Sequence, residues 1–366
     1  MGSIINTALC LIGLNSPALC AGASSWKNRK YTHLESTQTN NKLITANSDF
    51  KYFAQDLEND PDFVRNLDKI LIPRVVGTPN HQKVRKHIVD TMNGLGWKVE
   101  QPGFNDDTPE GNKMFTNVIA TLDLDAPRRL VIACHYDSLN KPVGFLGAID
   151  SAVPCAQMLN LAHTMHQDLK LQKLKNPEIT LQFIFFDGEE AFVRWTSTDS
   201  IYGARNLAAR WEGQEYSRDG VNGNHNDRID MFVLLDLIGT ADTQFTKLEQ
   251  STGDWYDRLV SIEQNLRNNR LINGNTIFRD QSVNAGIEDD HIPFKRRNVP
   301  ILHLISTPFP KVWHTINDNR ENLNFDRISS ISKVLRVFVA EYLHLSAKEE
   351  ENQRVYTARS RDCKSL

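Results

Sequence analysis

Two stretches of the chain consist almost entirely of apolar residues and end abruptly in acids. Leu181–Phe186 runs into Asp187, and Phe232–Leu235 runs into Asp236. A strand without apolar–polar alternation must be buried on both faces, as in a parallel sheet that is covered by helices. This pattern therefore predicts a fold of the α/β class.

Strand and helix patterns alternate along the chain. The expected strands are Phe115–Leu122, Leu130–Cys134, Ile179–Phe186, Met231–Leu237 and Val299–Ile305. The expected helices are an amphipathic stretch from Phe50 to Ile70 with a possible break at Pro61, then His81–Leu95, Ala152–His166, Ile201–Trp211, Trp255–Asn268 and Ile328–Leu345. Residues 213–229 are rich in Gly, Asn, Asp and Glu and are interpreted as a surface loop. We expect a central, mostly parallel mixed sheet with helices on both faces.

The 366 residues are expected to form a single catalytic domain over 49–346, with polar segments at 24–48 and 347–366. The net charge of -3 forces no basic face, which argues against nucleic acid as the main partner. No apolar run reaches the roughly 18–20 residues that span a bilayer, so no membrane span is expected.

The N-terminus has the features of a signal peptide. Ile4–Leu14 is mostly apolar, and Ala21-Gly22-Ala23 fits a signal-peptidase site, so residues 1–23 are predicted to be removed and the protein secreted. A mitochondrial presequence is the alternative. Such a segment is usually rich in Arg, whereas the first Lys here is Lys27.

The chain contains five cysteines: Cys10, Cys20, Cys134, Cys155 and Cys363. Cys134 lies at the end of an expected strand and Cys155 on the next expected helix, so a disulfide between them is geometrically possible. Two buried thiols are the alternative. Cys363 lies in the polar tail and would be left unpaired.

Acids and histidines follow several of the expected strands. These residues are His135 and Asp137, Glu189 and Glu190, Asp236, and His314 after the last strand, while Asp150 opens a helix. Ligand sites in open α/β sheets form beyond the carboxyl ends of the strands, and acids gathered there repel one another unless a cation holds them. Each residue also has an ordinary structural interpretation, as a helix cap, a core histidine or a solvated pair of acids. Together, one His and two carboxylates with an open fourth position suit a catalytic zinc.

Six segments, in order between about residues 50 and 345, resemble the glutaminyl-peptide cyclotransferase family, a branch of the zinc aminopeptidase superfamily. They are Ala133-Cys134-His135-Tyr136-Asp137-Ser138, Asp150-Ser151-Ala152-Val153-Pro154-Cys155, Phe185-Phe186-Asp187-Gly188-Glu189-Glu190-Ala191-Phe192, Leu234-Leu235-Asp236-Leu237-Ile238-Gly239, Asp289-Asp290-His291-Ile292-Pro293-Phe294, and Pro308-Phe309-Pro310 leading to Trp313-His314-Thr315.

The resemblance implies a role for each matching residue. It implies one zinc per chain on Asp150, Glu190 and His314, a proton-transfer acid/base at Glu189, supporting acids at Asp236 and Asp289, an aromatic pocket from Trp195, Phe309 and Trp313, and a disulfide between Cys134 and Cys155. One position departs from the family, which often has Gln where this chain has Glu288. Either the carboxylate of Glu288 attracts the substrate's amino group, or only its backbone matters.

The implied reaction turns N-terminal glutaminyl residues of peptides and proteins into pyroglutamate and releases ammonia. We expect the enzyme to act as a monomer. A zinc aminopeptidase is the alternative activity, and it would need a second metal, for which His135 and Asp236 are available ligands. A binding module without activity would be expected to lack Glu189 or a zinc ligand, and all of these are present.

Overall fold

The computed structural model describes Lys27 and residues 47–347. The predicted signal peptide, most of segment 24–48, Cys363 and nearly all of segment 347–366 lie outside these residues. The described strands are β1 (Lys98–Glu100), β2 (Gly103–Thr108), β3 (Gly111–Thr116), β4 (Val118–Thr121), β5 (Arg128–His135), β6 (Ile179–Phe186), β7 (Glu215–Arg218), β8 (Val221–Asn224), β9 (Ile229–Asp236), β10 (Phe245–Lys247), β11 (Phe278–Ser282) and β12 (Ile301–Ile305).

Six of these strands form a central mixed sheet in the spatial order β1-β4-β6-β5-β9-β12. The strands β6, β5, β9 and β12 are mutually parallel, whereas β4 runs antiparallel to both β6 and β1. The carboxyl ends of the four parallel strands therefore meet at one edge. This arrangement confirms the predicted mixed, mostly parallel sheet.

Helices cover both faces of the sheet. They are Asn47–Lys51, Asp60–Ile70, Pro79–Gly94, Val153–Thr164, His166–Lys175, Tyr202–Glu212, Gly253–Asn268, Ile292–Lys295 and Phe325–Tyr342. Within residues 47–347, no helix has both the length and the apolar character needed to cross a membrane.

The core divides between the two faces because side chains alternate along each strand. On β5, Leu130 and Ile132 pack into the larger cluster, which includes Phe338 of the helix Phe325–Tyr342. Val131 of the same strand packs into the second cluster, which includes residues of the helix Tyr202–Glu212. Each fully buried Leu, Ile or Phe side chain contributes roughly 1.5–3 kcal/mol through removal from water, so this double burial holds the strand ends in place.

The single strand predicted over Phe115–Leu122 is wrong, because the chain forms two strands in different sheets. β3 pairs with β2 in a hairpin, and β4 joins the central sheet. Between them, Asn117 accepts a hydrogen bond from the backbone N–H of Asp187 at 3.0 Å and donates to the carbonyl of Gly203 at 3.0 Å. A Cβ at Gly203 would lie 2.2 Å from Asn117 Oδ1, so this close approach requires glycine.

The prediction of a surface loop over residues 213–229 is also wrong in its centre. Strands β7 and β8 form an antiparallel hairpin there. Its turn residues, Asp219 and Gly220, have φ angles of 53° and 74°. A two-residue hairpin turn of this kind needs positive φ at both positions, which Asp-Gly supplies.

Candidate active site

The ends of the parallel strands bring the predicted acids and histidines together at one edge of the sheet, beside a cavity. β5 ends at His135 and β9 ends at Asp236. β6 continues through Gly188, which has a φ of 70°, into Glu189 and Glu190. The positive φ suits glycine and lets the chain turn sharply, so both glutamates follow directly from a buried strand.

Asp150, Glu190 and His314 meet in this cavity, as the resemblance implies. His314 Nε2 lies 3.3 Å from Asp150 Oδ2 and 3.5 Å from Glu190 Oε2. The two carboxylates are buried, and the side chain of His314 is 33% exposed. One ligand atom from each residue lies within 4.8 Å of the others.

These three residues fit a zinc ion. Among the described residues, Asp150 Oδ2 and Glu190 Oε1 are buried and accept no hydrogen bond. Buried carboxylate oxygens are normally satisfied, so unpartnered ones mark a place for a cation, and Asp150 Oδ2 also faces His314 Nε2 at 3.3 Å. Two oxygens and one nitrogen with a fourth position open to the cavity are typical of catalytic zinc.

The pKa shifts of Glu190 and His314 also indicate a place for a cation. Burial, followed by the charge of Asp150, raises the pKa of Glu190 to about 7. Burial opposes protonation of His314, but the adjacent carboxylates of Asp150 and Glu190 raise its pKa to about 10. The protein groups thus create a strongly negative pocket in which positive charge is favoured.

Glu189 lies beside this ligand set and is 6% exposed. Burial raises the pKa of Glu189 well above the usual range for a carboxyl group. The charge of His135 lowers this pKa, whereas the negative charges of Glu190 and Asp289 raise it. Its backbone is held by Asp137, whose carboxylate accepts hydrogen bonds from the N–H groups of Glu189 at 3.1 Å and Glu190 at 3.2 Å. A carboxyl group with a raised pKa is suited to accept and return a proton.

A second group of possible ligands shares Asp150. His135 Nε2 lies 2.9 Å from Asp150 Oδ1 and 3.7 Å from Asp236 Oδ1. The hydroxyl of Ser151 donates to Asp236 Oδ1. Burial, followed by the charge of Asp150, raises the pKa of Asp236 to about 6. In this arrangement His135 Nε2 and Asp236 Oδ1 are engaged with protein partners, whereas the buried His135 Nδ1 has no hydrogen-bond partner in the described part of the chain.

Asp289 is held from two sides. Its Oδ1 accepts a hydrogen bond of 2.6 Å from the backbone N–H of Asp290, and its Oδ2 lies 2.8 Å from His303 Nε2. His303 was not among the predicted site residues, although a histidine within an otherwise apolar strand is a signal that could have identified it. A proton shared between Asp236 and Asp289 stays a prediction.

The cavity has a volume of about 660 Å³, and Glu189, Asp236 and Asp289 line it together with the three predicted aromatic residues. Trp313 stacks on His314 with ring centroids 4.1 Å apart, and the ring of Phe309 lies 4.8 Å from that of Trp313. On another part of the wall, Trp195 Nε1 donates to Glu288 Oε2 at 3.2 Å. Glu288, at which this chain differs from the family, therefore lies in the pocket.

Cys134 and Cys155 are buried, the first near the end of β5 and the second in the first turn of the helix Val153–Thr164. The structure describes both as free thiols with sulfur atoms 2.8 Å apart, and Cys155 Sγ also donates to the carbonyl of His135 at 3.1 Å. The two side chains are neighbours, and the disulfide stays a prediction.

Sequence comparisons show which proteins this chain is similar to. The model of peptidase family M28 matches residues 117–339. The glutaminyl-peptide cyclotransferase of Drosophila melanogaster is 47% identical over 291 residues, which cover 76% of this chain and 79% of that protein. The glutaminyl-peptide cyclotransferase of Boiga irregularis is 43% identical over 357 residues, which cover 92% of this chain and 95% of that protein.

A solved structure extends the similarity to the fold. The glutaminyl cyclase of Macrostomum lignano superimposes with a TM-score of 0.77 at 40% identity, covering 83% of this chain and 97% of that one. The matched family region contains every predicted ligand and the acid/base residue, because Asp150, Glu189, Glu190 and His314 all fall within residues 117–339. The chain therefore belongs to peptidase family M28 and, within it, to the glutaminyl-peptide cyclotransferases.

Proposed function

We propose that this protein is a zinc-dependent glutaminyl-peptide cyclotransferase, an acyltransferase that converts N-terminal glutaminyl residues of peptides and proteins to pyroglutamate and releases ammonia. One observation supports this activity above the others. A set of three possible zinc ligands and the buried, proton-accepting Glu189 face the same cavity, which is large enough for the end of a peptide.

Asp150, Glu190 and His314 would hold one zinc ion per chain. When bound, zinc supplies Lewis-acid polarisation of a carbonyl group. An aminopeptidase of the same fold would need a second metal on His135 and Asp236, but Asp236 Oδ1 accepts a hydrogen bond from Ser151. This hydrogen bond favours a single ion.

The reaction needs one proton to be moved. The α-amine of the substrate attacks its own γ-amide carbon, so a C–N bond closes the lactam while the C–N bond to the leaving ammonia breaks. Glu189 takes the proton that the amine loses and returns it to the departing ammonia. Because nucleophile and electrophile belong to one residue, folding of the side chain in the pocket lowers the entropic part of the barrier.

The remaining pocket residues hold the substrate and exclude water. Water attacking the γ-carbon would yield glutamate instead of the lactam, so a wall of Trp195, Phe309 and Trp313 has a chemical purpose. Asp236 and Asp289 would orient the leaving ammonia or stabilise the intermediate. The carboxylate of Glu288 would attract the substrate's amino group.

The activity is tested by incubating the purified, zinc-loaded protein with a peptide that begins with Gln and by counting metal ions per chain. A cyclase releases ammonia and leaves a blocked N-terminus, whereas an aminopeptidase releases free amino acid. Absence of pyroglutamate from such a peptide would falsify the proposed activity. Two tightly bound zinc ions per chain would favour the aminopeptidase.

We further propose that residues 1–23 are a signal peptide and that the mature enzyme is secreted as a monomer, with its catalytic domain at 49–346. The N-terminus of the secreted protein, determined by mass spectrometry, tests the cleavage site after Ala23. Co-localisation of a tagged full-length chain with mitochondria would instead support the alternative, a mitochondrial presequence. Light scattering of the purified protein measures its oligomeric state.

A further inference from the structure

The ligand Asp150 lies in an irregular segment that its own helix does not hold. The helix that follows begins at Val153, and residues 148–152 form a single wide turn in which Asp150 and Ser151 have non-helical backbone angles. Gly147, just before the turn, has a φ of 51°. Besides backbone hydrogen bonds such as that from Ile238 to Ile149, two side chains from elsewhere in the chain contact this segment.

On one side, this segment is held by Arg74, which is completely buried. The guanidinium of Arg74 donates to the carbonyls of Gly147 at 3.0 Å, of Asp150 at 3.2 Å, and also of Leu146. It donates to the carbonyl of Tyr136 at 2.9 Å as well, which ties the segment to the chain that leaves β5. Only a planar guanidinium offers this many donors in a fixed geometry.

The other side is held by Asp318, which is 1% exposed. Its Oδ1 accepts a hydrogen bond of 2.8 Å from the backbone N–H of Ile149, and its own carbonyl accepts one of 3.3 Å from Ala148. The backbone N–H of Asp318 in turn donates to the carbonyl of Thr315, the residue after His314, at 3.0 Å. Asp318 thus joins the segments that carry two of the three ligands.

We propose that Asp318 and Arg74 are positioning residues that hold Asp150 in place for the metal, with Asp318 also setting its distance to His314. Neither side chain is among the ligands. The hydrogen bond from the backbone N–H of Ile149 is the key contact, because Ile149 directly precedes Asp150 in the chain. The inference rests on the proposed zinc site.

The test measures zinc affinity by competition with a chelator. Asp318→Ala removes the acceptor for Ile149 and should weaken zinc binding by about 10- to 100-fold, the usual effect of losing a residue that orients a ligand. Asp318→Asn also removes the carboxyl group but keeps an oxygen acceptor, so it should restore most of the affinity. Arg74→Lys keeps the charge but not the fork of donors, and should also weaken binding.

Two controls separate the possible outcomes. Asn317→Ala changes an exposed side chain in the same loop and should leave the zinc affinity unchanged. Circular dichroism and thermal unfolding of each metal-free variant identify any that fail to fold. If Asp318→Ala folds and binds zinc as tightly as the wild type, or if Asp318→Asn is as weak as Asp318→Ala, the positioning role is wrong. Failure of the wild type to bind zinc would instead contradict the proposed function.

Discussion

Asp137 accepts a hydrogen bond of 3.1 Å from the backbone N–H of Glu189, the residue that we propose moves the proton. The other oxygen of Asp137 holds the N–H of Glu190 at 3.2 Å. One buried carboxylate therefore sets the backbone of both the acid/base and a metal ligand. Asp137 was part of a recognised sequence segment, but no role was predicted for it.

Asp137→Ala should lower both activity and stability. Two buried N–H groups would lose their acceptor, at a cost of about 1–3 kcal/mol each, and kcat/KM should fall by about 10- to 100-fold as Glu189 and Glu190 lose their orientation. Kinetics and thermal unfolding measure the two effects. Asp227→Ala is the control, because Asp227 also accepts a backbone N–H, that of Asn224 at 2.9 Å, but Asn224 does not line the pocket as Glu189 and Glu190 do. Unchanged kcat/KM in Asp137→Ala would contradict this role.

Glu189→Gln should retain zinc and lose turnover. The amide has nearly the same size as the carboxyl group but cannot accept and return a proton, so kcat should fall by about 10²- to 10⁴-fold. Metal analysis and an ammonia-release assay on the same preparation test both halves of this expectation. A variant with wild-type kcat would remove Glu189 as the proton-transfer group.

His314→Ala should lose zinc and activity together, because the variant removes the only nitrogen among the three proposed ligands. Metal content after dialysis and pyroglutamate formation are the measurements. The half-buried His225 lies outside the pocket, and His225→Ala serves as the matched control. Stoichiometric zinc in His314→Ala would count against His314 as a ligand.

Reduction should lower the melting temperature if Cys134 and Cys155 are bonded. The two cysteines are 21 residues apart, with sulfur atoms at 2.8 Å. A disulfide that closes a loop of this size contributes about 3 kcal/mol in the chain-entropy model. Thiol alkylation with mass spectrometry shows directly whether the bond is present. An identical melting temperature with and without reductant would indicate free thiols.

The helices and strands that were predicted best are those whose burial is apparent from an apolar run or an apolar periodicity in their own sequence. The apolar strand Ile179–Phe186 has the predicted bounds. The helix His166–Lys175 was missed, because its polar composition shows no apolar periodicity. The hairpin of β7 and β8 was missed for another reason, since the Asp219-Gly220 turn was present in the sequence but its flanking strands are short and polar.

The same distinction applies to the site. The proposed ligands stand directly after apolar strands or within recognised motifs, so they could be found from the sequence. Arg74 and Asp318 could not, because they act on partners that are distant in the chain. Asp318 is separated from Ile149 by 169 positions, and Arg74 from Gly147 by 73. A local sequence pattern cannot predict hydrogen bonds between such distant residues, because they form only when the sheet has formed.

The three proposed ligands come from loops at the ends of different strands, and only the assembled sheet brings them together. An unfolded chain has no comparable cluster, so zinc binds the native state selectively and shifts the folding equilibrium. At a free zinc concentration of about 100 times Kd, this linkage adds roughly 2.7 kcal/mol to the free energy of unfolding. The melting temperature should therefore rise with zinc concentration, and the enzyme would be most vulnerable to proteolysis before it acquires its metal.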